Sequence, residues 1–143
     1  MAAGMKEPLY TTEILRLAAS LGDPCDLERE DGRAEIRSPT CGSRITLAVQ
    51  LDDDRRVKRL SMKVHACAFG QASAALVERH SYGRTHAEVS DAMLEISRWL
   101  AHEHDDARAW PGISALAPAR QHQGRHGAIL LPFRALLAAL DAA

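Results

Sequence analysis

Residues 44–65 read RITLAVQLDDDRRVKRLSMKVH. Ile45, Leu47, Val49 and Leu51 alternate with Arg44, Thr46, Ala48 and Gln50. Leu60, Met62 and Val64 then alternate with Ser61, Lys63 and His65. A period of two places one set of side chains on a single face of a strand. Asp52, Asp53 and Asp54 make a short acidic turn between the runs, so the stretch predicts an antiparallel hairpin with one buried face. A shorter run, Ala34–Arg37, predicts an added edge strand.

Outside the hairpin the period becomes helical. Ile14, Leu17, Ala18 and Leu21 predict a helix over 11–21, with Thr11 or Thr12 as its cap and Gly22, Asp23 and Pro24 as its end. Residues 25–32 are charged and turn-like. From Cys67 to Tyr82, Phe69, Ala72, Leu76 and Val77 share a helical face, with Gly83 as terminator. Thr85 with Glu88 spells a capping box for a next helix carrying Val89, Met93, Ile96 and Leu100. Residues 105–112 read as a loop containing Trp110-Pro111, and 113–116 as a single turn. A basic, His-rich loop over 120–127 precedes a last helix with Ile129, Phe133, Leu136, Leu137 and Leu140. Pro is tolerated in a first turn, so Pro132 sets the expected start of that helix near Leu131. Helices segregated from a small antiparallel sheet predict an α+β fold with the helices packed on one face.

The chain has 143 residues, which suits one domain spanning 1–143. Its 18 Lys+Arg against 19 Asp+Glu give a net charge of −1, so no general basic surface for nucleic acid is expected. The 46% hydrophobic content argues against wholesale disorder, and 4% aromatics assign the core to Leu, Ile, Val and Ala. No apolar run approaches the ~20 residues of a membrane span, and MAAGMKEPLY lacks the apolar stretch of a signal peptide. A soluble, cytoplasmic protein is the expectation. No internal repeat or low-complexity linker divides the chain.

Three cysteines, Cys25, Cys41 and Cys67, are too few and too scattered for a disulfide scaffold. Cys41 lies in SPTCGSRI, a turn just before a strand, where Pro39 fixes the backbone and Gly42 leaves room beside the thiol. Cys67, in VHACAFGQAS, stands where a strand ends and a helix begins, at the positive end of the helix dipole. His126, in GRHGAIL, stands at the entry to the last helix. All three are at element ends, where functional groups concentrate. The plain reading of each is structural: a small buried hydrophobe for either cysteine and a loop residue for the histidine. Cys25 reads as an incidental thiol, the run His102–Asp106 as a solvated helix end, and Arg120 and Arg125 as surface charges.

In order along the chain, these segments resemble the U-type iron–sulfur cluster scaffold family, the IscU, SufU and NifU N-terminal group. The family's early Cys-Gly-Asp is matched by Pro39-Thr40-Cys41-Gly42-Ser43. Its cysteine opening an Ala/Ser-rich helix is matched by Cys67-Ala68-Phe69-Gly70-Gln71-Ala72-Ser73, which runs on to Gly83-Arg84-Thr85. Its third element, a basic or His residue and a Cys before an apolar helix, is matched by Arg125-His126-Gly127-Ala128-Ile129-Leu130. Leu9-Tyr10 and the first helix also resemble the family's N-terminus. Two departures stand out: Ser43 replaces the Asp, and neither Gly127 nor Ala128 supplies the third thiol. Leu116-Ala117-Pro118-Ala119-Arg120 stands where one subgroup has its chaperone-recognition Leu-Pro-Pro-Val-Lys segment.

The resemblance implies an α+β fold with a three-stranded sheet and a carrier rather than an enzyme. In such scaffolds a cysteine desulfurase delivers sulfur, iron joins it, and the cluster passes to an acceptor protein. On that basis Cys41, Cys67 and His126 are the expected ligands of a labile [2Fe–2S] cluster, and they should meet at one end of the sheet. Imidazole can replace thiolate on iron. Two other readings follow from the departures. One is a non-catalytic adaptor that keeps the scaffold fold. The other is a zinc-binding sulfur-transfer module using the same three residues.

Overall fold

The computed structural model describes residues 9–39 and 42–143. The elements follow as α1 (Thr12–Ala19), β1 (Gly32–Arg37), β2 (Arg44–Leu51), β3 (Val57–His65), α2 (Ala68–His80), α3 (His86–Leu100) and α4 (His126–Asp141). Two 3-10 segments, Ile113–Gln121 and Gln123–Arg125, precede α4. The strands form an antiparallel sheet in the order β1-β2-β3, so the expected hairpin and edge strand are both present.

The register explains the alternation. Leu47 faces Ala34 on one side and Met62 on the other, and Ile45 faces Val64. Ile45, Leu47, Val49, Leu60 and Met62 are buried on the face that meets the helices. Near the turn, Gln50 pairs with Arg59 but Leu51 pairs with Val57, which leaves Lys58 bulged. The bulge reverses the inside-outside parity of β3 and turns Val57 into the core. The sequence pattern broke at that bulge, so β3 extends three residues beyond its expected start at Leu60. In the turn, the Asp52 carboxylate accepts the N–H groups of Asp54 and Arg56, both at 2.9 Å.

Helix α4 packs on β1 and β2, while α2 packs on α1, α4 and β3. On the sheet's other face, the segment after α1 crosses from β3 towards β1. The Cys25 N–H donates to Ser61 Oγ at 2.9 Å, and Asp31 Oδ2 accepts the Leu51 N–H at 2.7 Å. Cys25 itself is exposed, as expected.

Two sequence expectations need correction. Helix α4 starts at His126, not near Leu131, and carries Pro132 in its interior. Pro132 removes one N–H from the helix, a loss of ~3 kcal/mol. Against it, Ile129, Leu131 and Phe133 are fully buried, each contributing roughly 1.5–3 kcal/mol, so burial outweighs the break. Ser73 of α2 also donates to the Ile129 carbonyl at 2.6 Å, beside the Ala128 carbonyl that Pro132 deprives of its helical partner. The second correction is the turn at 113–116, which continues as a 3-10 segment to Gln121 and leaves little of 120–127 as plain loop.

Trp110 lies in the loop expected over 105–112 and belongs to the core as well. It is fully buried, donates Nε1–H to the Leu76 carbonyl at 3.0 Å, and meets Phe133 edge-on with ring centres 5.0 Å apart. The Arg84 guanidinium lies 4.0 Å from its ring centre. Among the described residues no helix is long and apolar enough to cross a membrane.

Candidate functional site

Antiparallel pairing of Arg44 with His65 brings the chain entering β2 beside the chain leaving β3. The two segments and the first turns of α2 enclose an open cleft of about 370 Å³. Gly42 and Ser43 line it from one side, His65, Ala66 and Cys67 from the other, and Gln71 closes it. Gly42 has φ +72°, a conformation that favours glycine, and a Cβ there would meet nothing within 4 Å. Its requirement is therefore conformational and not steric. The Ser43 carbonyl accepts the Ser38 N–H at 2.8 Å and ties the base of the loop.

Cys67 is the N-cap of α2, in the extended conformation φ −68°, ψ 174°. Its side chain makes no capping hydrogen bond, and the first turn of α2 carries no acidic residue. The thiol is half-buried, free, and without a hydrogen-bond partner among the described residues. The turn around it is held by Gln71, whose N–H donates to the Cys67 carbonyl at 2.9 Å and whose side-chain amide donates to the Ala66 carbonyl at 3.0 Å. A sulfur held this way can meet a ligand from the cleft without breaking any bond that maintains the fold.

His126 is the first residue of α4. Its Nε2 lies 3.0 Å from the Ala119 carbonyl and 3.1 Å from the Arg120 carbonyl. Carbonyls only accept, so Nε2 carries a proton and is the donor to both, which leaves Nδ1 as the ring atom not used in holding the loop. An imidazole that donates one nitrogen to backbone carbonyl has the form of a metal-ready histidine. His126 is not among the residues lining the Cys67 cleft. It does begin the helix whose first turn lies against α2, where a Cβ on Gly70 would be 3.4 Å from the Ala128 carbonyl.

Arg120 is not the surface charge expected from the sequence. Its guanidinium donates to the Trp99 carbonyl at 2.8 Å, the His104 carbonyl at 3.0 Å and Asp105 Oδ1 at 3.0 Å, and its side chain is 14% exposed. It fixes the backbone that His126 bonds.

Of the three expected site residues, Cys41 lies outside the described residues, Cys67 lines the cleft and His126 stands at the start of the neighbouring helix. Among the described residues no group of three or more His, Cys, Asp or Glu is placed to hold a metal ion. The sequence reading passed over His65, which lines the same cleft as Cys67. Its signal was its place, last in the alternating run and two residues before the thiol. Of the two positions where a further thiol was sought, Gly127 is exposed with nothing within 4 Å of a Cβ, and Ala128 is buried.

A wider groove of about 770 Å³ runs between α1 and α2, past Leu17, Leu76, Arg79 and His80. Burial, with Arg79 and Arg84 nearby, pushes the His80 imidazole below its ordinary range. Among the described residues no cysteine lines this groove, so its size does not make it the stronger site.

Residues 9–117 match the family described as "NifU-like N terminal domain". No curated protein matches the chain. Among solved structures it is similar to a nitrogen-fixing NifU-like protein (N-terminal) from Brucella abortus, at 26% identity and TM-score 0.82, over 94% of this chain and 93% of that one. It is also similar to a putative iron–sulfur cluster assembly scaffold protein for the SUF system from thermophilic Fervidobacterium islandicum AW-1. That likeness has 21% identity and TM-score 0.82 over 92% of this chain and 96% of the other, and at that identity it speaks to the fold alone.

Proposed function

Because this chain belongs to the NifU-like N-terminal domain family, we propose that it is an iron–sulfur cluster assembly scaffold, taking up iron and sulfide transiently and passing them to acceptor proteins. The observation that carries this reading is the Cys67 thiol on an open cleft, with no side-chain cap bond and no partner among the described residues. In this reading Cys67 and Cys41 supply thiolates, and His126 supplies a nitrogen through Nδ1. The cargo is the cluster itself, and the chain acts as a carrier and not as a catalyst. A cysteine desulfurase is the partner class that would supply the sulfur.

A two-iron cluster is ordinarily held by four protein ligands. Cys41, Cys67 and His126 make three, so the bound cluster is labile, which suits transfer more than storage. Anaerobic reconstitution with ferrous iron and sulfide, followed by visible absorbance, tests the proposal. Wild type should take up both, and Cys67→Ser should not. Gly127→Cys should slow cluster loss to a chelator, because the exposed backbone there accepts a side chain freely.

An adaptor that binds the same partners without a cluster is the second reading. It is favoured by Ser43 in the aspartate position and by the lack of a thiol at Gly127 and Ala128. Failure of wild type to take up iron and sulfide would establish it over the scaffold. Zinc retained through purification, measured by elemental analysis, would instead favour a zinc-binding sulfur-transfer module.

A further inference from the structure

We propose that the groove between α1 and α2 docks an acidic peptide segment of a partner protein, with an apolar side chain on its floor and carboxylates on its rim. The groove is about 770 Å³, room for several side chains of an added chain. It shares no lining residue with the Cys67 cleft. From the Cys67 cap to Arg79 is about 18 Å along α2, at 1.5 Å per residue. An occupant here leaves that cleft open, so docking does not depend on the cleft binding any cargo.

The floor is apolar. Leu17 of α1 is half-buried, Leu76 of α2 is buried, and Ala115 comes from the 3-10 segment after Trp110. Gly112 touches Leu76 directly: a Cβ there would lie 2.7 Å from Leu76 Cδ2, and its φ of +82° favours glycine. Gly112 and Ala115 are small, so neither fills the groove that they line.

The rim is positively charged. The Arg16 guanidinium has no hydrogen bond or ion pair among the described residues. Glu13 also lines the groove, three residues before Arg16 and so at ion-pair spacing on a helix, yet no ion pair links them. Arg79 donates to Ser20 Oγ at 3.1 Å, and the Ser20 hydroxyl donates to the Leu17 carbonyl at 2.7 Å. These bonds tie the guanidinium to the end of α1 and leave most of its five N–H groups for a ligand. Glu78, beside Arg79 in sequence, accepts the Gly22 N–H at 2.9 Å and does not line the groove. By contrast, Arg29, Arg56 and Arg108 each hold a carboxylate at 2.8–2.9 Å. His80 completes the rim, and burial, then Arg79 and Arg84, disfavours its charged form.

Arg16 and Arg79 stand in the last turns of α1 and α2, where a cation complements the helix dipole. That complement accounts for the charge but not for an apolar floor between the two. Guanidiniums pair with carboxylates through two parallel bonds, and an apolar side chain gains by leaving water. A chain that sets carboxylates on either side of an apolar anchor uses both features at once. A lone inorganic anion would use the rim and ignore the floor, and a basic segment would be repelled by the rim.

Fluorescence anisotropy of a short labelled peptide of leucines flanked by glutamates, titrated with the full chain, tests the proposal. Control peptides carry lysines for the glutamates or serines for the leucines. Binding should saturate, weaken several-fold as salt rises, and fall to the level of the control peptides in Arg16→Glu/Arg79→Glu. Lys58→Glu/Arg59→Glu makes the same change of charge at two exposed positions of β3 outside the groove, and binding should stay close to wild type. Cys67→Ser should bind the peptide as wild type does, whatever its cluster uptake. Ala115→Trp should block the peptide by filling the groove, with circular dichroism melts to show that each variant is folded. No saturable binding, equal binding of the serine peptide, or an equal loss in the β3 variant would overturn the proposal. Self-association of the protein alone that Arg16→Glu/Arg79→Glu abolishes in sedimentation equilibrium would overturn it in favour of a second copy.

Discussion

Helices α2 and α3 are consecutive in the chain and begin in opposite ways. At α3, Thr85 accepts the Glu88 N–H at 3.2 Å and Glu88 accepts the Thr85 N–H at 3.0 Å, a complete capping box. Arg56 adds a contact of 2.9 Å to the same carboxylate. At α2, Cys67 has the same extended N-cap backbone, yet no side chain caps it and no acid stands in the first turn. Four N–H groups at a helix start lack intrahelical partners, and side-chain caps exist to satisfy them. One start is closed by the protein's own groups, while the other is left open towards a cleft. Helix α2 is instead secured along its flank, by Ser73 on the Ile129 carbonyl and by Trp110 on the Leu76 carbonyl. The bonds that hold α2 and the candidate site thus lie at different parts of the same helix.

If the flank carries α2, damage there should exceed anything done to either cap. Trp110→Ala should cost about 3–5 kcal/mol, as expected for emptying a large buried aromatic site. The loss removes the edge contact with Phe133 and the bond to Leu76 together. Urea denaturation followed by circular dichroism measures it, and a cost below that of the capping variant would reverse the proposed division of labour. Gly70→Val comes next, at about 1–3 kcal/mol for an overpacked contact. A Cβ at Gly70 would lie 2.7 Å from the Ala66 Cβ and 3.4 Å from the Ala128 carbonyl. The Ala66 contact is too close for any Cβ and Ala66 is no flexible side-chain end, so the turn from β3 into α2 must shift.

Thr85→Ala should cost about 1 kcal/mol, the usual worth of an N-cap. The effect should depend on pH. Hydrogen bonds from Thr85, with Arg56 nearby, hold the Glu88 carboxyl below its ordinary 4.5. A carboxyl whose folded value is depressed contributes stability that is present above its unfolded value and lost as pH falls through the folded one. The gap between wild type and Thr85→Ala should therefore narrow as pH drops below 4.5. Paired denaturation curves at neutral and acid pH check this, and a constant gap would remove Glu88 from the cap.

Much of this contrast was legible in the sequence. Thr85 and Glu88 announce their box by spacing alone, because a capping box is local chemistry. Alternation over 44–51 and 60–65 gave the hairpin because one face meets helices and the other does not. The start of α4 was hidden because Pro132 reads locally as a first-turn residue. What keeps the helix intact before it is burial against elements distant in sequence, together with Ser73. Arg120 was hidden in the same way, since its partners Trp99 and His104 belong to the end of α3 and the loop beyond. For the site, Cys67 was legible as a thiol at an element junction. His65 was not, because its interest comes from a cleft made when Arg44 pairs with it across the sheet.

The smallest expected change in stability tests the open end itself. Cys67 holds an N-cap backbone in which serine would be favoured, and a thiol is a weak hydrogen-bond acceptor. Cys67→Ser should therefore leave the protein as stable as wild type or more so, by a few tenths to about 1 kcal/mol. The gain comes from an Oγ that can accept an N–H of the first turn, offset in part by the lost packing of a half-buried sulfur. The same variant should lose cluster uptake. Denaturation midpoints and anaerobic reconstitution on one preparation measure both effects. A substitution that improves the helix and abolishes the chemistry would mark Cys67 as a residue kept at a cost to the fold. A clear loss of stability would mean that the sulfur is packed as an ordinary core atom, and the contrast between the two helix starts would lose its functional meaning.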